Sequence, residues 1–178
     1  IANTGSFSGM SVVRVDPAAA RYHFIGMEIV AGKVPNPPPS GWYQGHNSGT
    51  LTSYNRQGGY MAMLDMAGTQ IIFDRGWIHA ENGAAPPIRI HGGVLLTADD
   101  SALVNTYIDD IVNWQYIAYG DFEGSTGISH YQGGPTLIQN NTIYGGTINY
   151  YSEDSPGVLP HDLTFRRNLM TKHKKWRI

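Results

Sequence analysis

The chain has 178 residues, one domain's worth, with a formal charge of −2, 15% charged residues, 22 Gly, 10 Pro and 11 Tyr. Its weakly acidic balance, with a sequence pI near 6.4, leaves no footprint for a nucleic-acid backbone. No apolar run reaches the length of about eighteen residues that a membrane span needs. The absence of cysteine excludes a disulfide framework and a thiolate metal site, without deciding the compartment.

Taken in chain order, one short pattern recurs. It is an apolar residue, then four mixed residues with a small or polar pair among them, then a second apolar residue. Phe24 to Ile29 in "YHFIGMEI", Phe73 to Ile78 in "IIFDRGWIHA" and Leu103 to Ile108 in "ALVNTYIDDI" follow it, as do Ile138 to Ile143 in "TLIQNNTIYG" and Phe165 to Met170 in "LTFRRNLMTK". The second apolar residues are separated by 49, 30, 35 and 27 positions, the first step being either two units or one unit with a large insertion. A strand-like piece precedes each copy: "SVVRV", "YMAML", "GGVLLT", "GISHY" and "TINYY". Measured from Met63, Val94 and Ile128, it lies ten, nine and ten residues ahead of the next copy's first apolar position.

The unit is therefore strand, bend, strand and loop, and such units become stable only by stacking on their neighbours, so Phe24, Ile29, Phe73, Ile78, Leu103, Ile108, Ile138, Ile143 and Phe165 should all be buried in one continuous stack. No long stretch carries a capped 3.6-residue period, so little helix is expected. Residues 1–178 are read as one all-β domain with a Pro/Gly-rich insertion at 32–60. Stacking also accounts for the polar pair. Arg75, Asn105, Asn140 and Arg167 align with one another, and Gly76, Thr106, Asn141 and Asn168 align at the next position, so they should form a ladder at a bend. Asn140-Asn141-Thr142 also matches a glycosylation sequon, which the ladder explains without further chemistry.

These five segments resemble the coils of the right-handed parallel β-helix proteins of the pectate-lyase-like superfamily, close to secreted, uncharacterised bacterial members, over about residues 11 to 176. The resemblance implies a solenoid of about five to seven coils, an extracellular or cell-surface location and a polysaccharide partner. The first copy departs from the pattern at Met27, which suggests an edge coil or a different turn. Superfamily members include lyases and hydrolases as well as adhesins, so the fold leaves open whether the chain is an enzyme. If it is one, a polysaccharide lyase or glycoside hydrolase is implied. The non-catalytic alternative is a structural or adhesive module that stacks end to end or on partner chains.

Lyases of this superfamily place a basic residue beside acidic ones that hold Ca²⁺. The residues of those types here are Arg89, His91, Asp121, Glu123 and His130, and none falls in a recognisable lyase signature. His130 reads more readily as a hydrogen-bonded structural histidine. No cofactor and no metal site is expected, although Asp99-Asp100 and Asp109-Asp110 are acidic pairs that could seat Ca²⁺. For sugar binding, Tyr131 and Tyr151 stand three residues beyond Ile128 and Ile148 on an expected outer face, with Asn149 beside them. Trp42 and Tyr43 lie on the insertion, where a binding lid tends to sit. Neither "IANTGSFSG" nor "KKWRI" looks like a sufficient cap, so the chain is read as a fragment or an assembly unit, self-associating unless further sequence covers its ends.

Overall fold

The computed structural model describes residues 10–31, 59–80, 89–109, 111, 126–130, 133–144, 147–150 and 160–171. The strands come in triplets. The first is β1 (Met10–Arg14), β2 (Ala20–Ile25) and β3 (Glu28–Ala31); the second is β4 (Gly59–Met66), β5 (Thr69–Asp74) and β6 (Trp77–Ala80). Next come β7 (Arg89–Leu96), β8 (Ser101–Val104) and β9 (Tyr107–Asp109), then β10 (Thr126–His130), β11 (Thr136–Gln139) and β12 (Thr142–Tyr144). The last triplet is β13 (Thr147–Tyr150), β14 (Leu163–Arg166) and β15 (Leu169–Thr171). No helix occurs among the described residues.

Each member of a triplet joins a different sheet. Sheet A runs β1-β4-β7-β10-β13, sheet B β2-β5-β8-β11-β14 and sheet C β3-β6-β9-β12-β15. All pairings are parallel. Three parallel sheets advancing together form the arrangement of a parallel β-solenoid. Because β3 pairs directly with β6 and Ile29 faces Ile78, the 49-residue step between them is a single strand-to-strand interval containing an insertion.

The apolar positions of the repeat become columns. Phe24, Phe73, Leu103, Ile138 and Phe165 are in register along sheet B, and Ile29, Ile78, Ile108, Ile143 and Met170 along sheet C. Ile29, Phe73, Ile78, Leu103, Ile108, Ile138 and Ile143 are buried in one cluster with Leu64, Met66, Val94, Leu96 and Ile128 of sheet A. Phe24 packs against that cluster only partly buried. Full burial of such a side chain contributes about 1.5–3 kcal/mol, which makes these columns the main source of stability.

Besides the partial exposure of Phe24, two further expectations are corrected. Phe165 is not buried but 40% exposed, because β14 is the outermost strand of sheet B and has a neighbour on one side only. In sheet A, Leu64 rather than Met63 stands in register with Val94 and Ile128. Met63 is equally buried, so burial pattern alone could not separate the two.

The corner between sheets B and C holds two residues in every triplet. Its first residue is Gly26, Arg75, Asn105, Asn140 or Arg167, with φ of 66°, 55°, 53°, 56° and 55°. A left-handed residue at that point reverses the chain in a single step. Met27 therefore sits in the same turn as its counterparts, on the outermost strands of sheets B and C. The second residue faces inward. Asn141 accepts from the Thr106 amide through Oδ1 (2.9 Å) and donates through Nδ2 to the Leu103 carbonyl (2.9 Å). Asn168 repeats the pattern one strand on, accepting from the Asn141 amide (2.9 Å) and donating to the Ile138 carbonyl (2.9 Å). In the second triplet the position is Gly76, where a Cβ would lie 2.1 Å from the ring of Phe73. The larger core residue there takes the space of the amide.

Candidate functional site on the outer face of sheet C

Strand alternation decides what sheet C shows to solvent. With Ile29, Ile78, Ile108 and Ile143 directed into the core, the residues on either side of each point outward. One outward column is Glu28, Trp77, Tyr107, Thr142 and Leu169; the other is Val30, His79, Asp109, Tyr144 and Thr171. Trp77 and Tyr107 are thus direct cross-strand neighbours, separated by one strand spacing of about 4.8 Å. Both rings are open to solvent, at 41% and 38% exposure.

The polar groups of the face hold these rings in place. The imidazole of His79 lies flat against the Trp77 indole, with centroids 3.8 Å apart and an interplanar angle of 18°. Its Nε2 is 2.9 Å from Oε1 of Glu28. This pair fixes the imidazole, which is itself largely buried, while Glu28 keeps more than half of its side chain in water. The Tyr107 hydroxyl makes a long 3.4 Å contact with Oδ2 of Asp109. Chemically, the face offers two adjacent aromatic surfaces with carboxylate acceptors and hydroxyl donors beside them.

The sequence-derived site residues fall elsewhere. His130 is buried inside the solenoid in the column of Met66 and Leu96, its Nε2 3.2 Å from the Thr136 hydroxyl, which continues to Ser101 at 3.3 Å. Burial lowers its pKa below the usual imidazole value. Arg89 and His91 belong to β7 and Asn149 to β13, facing Ser129, but their side chains lie outside the described residues. Trp42, Tyr43, Asp121, Glu123, Tyr131 and Tyr151 lie outside them altogether. The register Ile128↔Ile148 that would align the two tyrosines is present.

Polar clusters also occur elsewhere among the described residues. At the B-to-C corner Asp74 accepts from Asn105 (2.8 Å) and from Arg75 (2.9 Å), with His23 at 3.7 Å, and Asn105 accepts in turn from Asn140 (3.2 Å). The Asn105 hydrogen bond, then Arg75 and His23, hold the Asp74 carboxyl below its usual pKa against partial burial. In sheet A, Asp65 pairs with Arg14 at 3.1 Å; burial raises its pKa, while Arg14 and Thr97 oppose the rise. Asp99 and Asp100 are exposed, Asp110 lies outside the described residues, and no three His, Asp or Glu side chains converge among those described.

Sequence reading missed the sheet C platform because it treated Trp77 and Tyr107 as filler between apolar anchors. The signal was available: each immediately precedes an anchor isoleucine and so must face outward. Comparison with protein-family models, curated proteins and solved structures finds no match.

Proposed function

We propose that the protein is a secreted, right-handed β-helix of the pectate-lyase-like kind that binds polysaccharide along the outer face of sheet C. The observation supporting this reading is the in-register pair Trp77 and Tyr107, two rings exposed side by side with Glu28 and Asp109 beside them. Flat aromatic surfaces match the C–H faces of sugar rings, and neighbouring carboxylates accept their hydroxyls, a combination that gives both contact area and orientation.

Affinity electrophoresis against a panel of soluble polysaccharides tests it. Trp77→Ala and Tyr107→Ala should each weaken retention by about tenfold or more, the scale of an aromatic anchor in a contact surface, while the melting temperature changes by only a few degrees. Unchanged retention with lowered melting temperatures would assign both rings to packing.

One observation favours a second reading, a stacking module. Phe165 and Met170 occupy core columns yet are 40% and 46% exposed, with Leu169 at 57% beside them. A further parallel strand layer would cover them. Sedimentation of this chain at several concentrations tests whether a second copy supplies that layer. Concentration-dependent association abolished by Met170→Lys would support it, and a monomer throughout would exclude it.

A further inference from the structure

Resting on the platform reading above, we infer that His79 is the positioning residue of the sheet C face: its imidazole closes one side of the Trp77 indole, and a sugar ring stacks on the opposite side alone. The two residues are alternate members of β6 and so leave the sheet on the same side, about 6.6 Å apart along the strand. Their rings close that gap to a centroid distance of 3.8 Å at an interplanar angle of 18°. Carbon atoms in contact sit about 3.5–4.0 Å apart, so nearly parallel rings at this distance overlap face to face. One face of the indole is sealed.

The imidazole that seals it is itself held. His79 stands in register between Val30 on β3 and Asp109 on β9, and its Nε2 meets Oε1 of Glu28, the diagonal neighbour on β3, at 2.9 Å. Only 8% of His79 is exposed, whereas Trp77 keeps 41%. The imidazole is the anchored ring of the stack and the indole the open one.

This arrangement bears on affinity without touching the ligand. An unsupported indole on a strand surface turns about its side-chain torsions, and a sugar that stacks on it must first stop that motion. An indole already resting against a buried imidazole has lost the freedom before the sugar arrives. The ligand this geometry takes is a pyranose that lays a C–H face on the open side of the ring.

Substitutions at His79 separate stacking from hydrogen bonding. Phenylalanine keeps a flat ring and gives up the bond to Glu28, whose side chain is 56% exposed and is therefore solvated without it. Glutamine keeps a polar end for Glu28 and gives up the ring.

The full chain and its variants are titrated with a soluble β-glucan, polygalacturonate and a chitosan oligosaccharide, with melting temperatures recorded for each. For the probe whose binding depends on Trp77, His79→Ala and His79→Gln should weaken affinity about threefold or more, and His79→Phe should stay within about twofold of the parent. Near-ultraviolet circular dichroism supplies a readout that needs no ligand. The Trp77 signal, taken as parent minus Trp77→Phe, should persist in His79→Phe and collapse in His79→Gln.

Parent-like affinity in folded His79→Ala or His79→Gln would overturn the inference and leave the platform standing. So would an equal loss in His79→Phe, which would assign the effect to the Glu28 bond, or an unchanged Trp77 signal in His79→Gln. Trp77-independent binding, or none, with all three probes would remove the platform reading and this inference with it.

Discussion

Asn141 and Asn168 stand one above the other on adjacent strand layers, Nδ2 of the first 3.0 Å from Oδ1 of the second, and each also holds a carbonyl of the layer before it. Their amides therefore tie three successive layers at one corner. Asn141→Ala would leave the Thr106 amide and the Leu103 carbonyl without their amide partner in a buried setting. A loss of about 3 kcal/mol is expected in chemical denaturation. The exposed Asn140 makes a single 3.2 Å bond to Asn105, and Asn140→Ala should cost less than about 1 kcal/mol. Equal losses would mean that the inner amide adds nothing over the outer one.

Gly76 and Phe73 are expected to behave as a coupled pair. Gly76→Ala places a methyl group against the Phe73 ring and 3.0 Å from the Met27 carbonyl oxygen, an overpacking that should cost about 1–3 kcal/mol. Adding Phe73→Leu supplies the side chain that Leu103 already contributes at the same register, and should recover part of the loss. A double-mutant cycle with no coupling would show that the corner relaxes independently of the core.

The pH dependence of stability near neutrality should trace to His130. Its folded pKa lies below the ordinary 6.5, so the unfolded chain binds the proton more readily. Stability is then full above about 6.5 and falls as pH decreases from there toward the lowered folded value. His130→Leu, matching Leu96 in the same column, should flatten the melting temperature across that window. A profile as steep in the variant as in the parent would point to another titrating group.

Asp74 should govern the more acidic limb. Its carboxyl is held below the ordinary 3.8 by Asn105 first and by Arg75 and His23 after it. The stabilisation is present above the unfolded value and is lost as pH falls through the folded one. In Asp74→Asn, acid unfolding should lose its dependence on that window, because nothing remains there to protonate. Persistence of the parent's acid transition would locate it elsewhere.

The repeat was legible because every copy reuses the same five-residue interval from Phe24 to Ile29, Phe73 to Ile78 and onward, and stacking turns equal intervals into aligned columns. The polar pair was legible as a ladder for the same reason, but the inward turn of Asn141 against the exposed Asn140 was not, because both are amides in adjacent positions. Phe165 was misjudged because sequence records a residue's column and not whether a neighbour covers it. Met63 was misjudged because two adjacent residues of β4 are both buried, which removes the alternation that fixes register. The platform was missed for a different reason. Trp77 and Tyr107 are thirty positions apart in the chain, and only the pairing of β6 with β9 makes them one surface.

The two-residue corner between sheets B and C separates freedom of length from freedom of phase. The connection from β3 to β4 grows to 27 residues while that from β12 to β13 needs two, and both serve the same stack. A single residue added at Arg75-Gly76 is another matter. It would rotate β6 by one position, turning Ile78 toward water and Trp77 toward the core. Insertions and deletions in such a chain should therefore collect between sheets C and A and be purged from the B-to-C corner. A library of one-residue insertions sorted for folding would draw that boundary directly on the sequence.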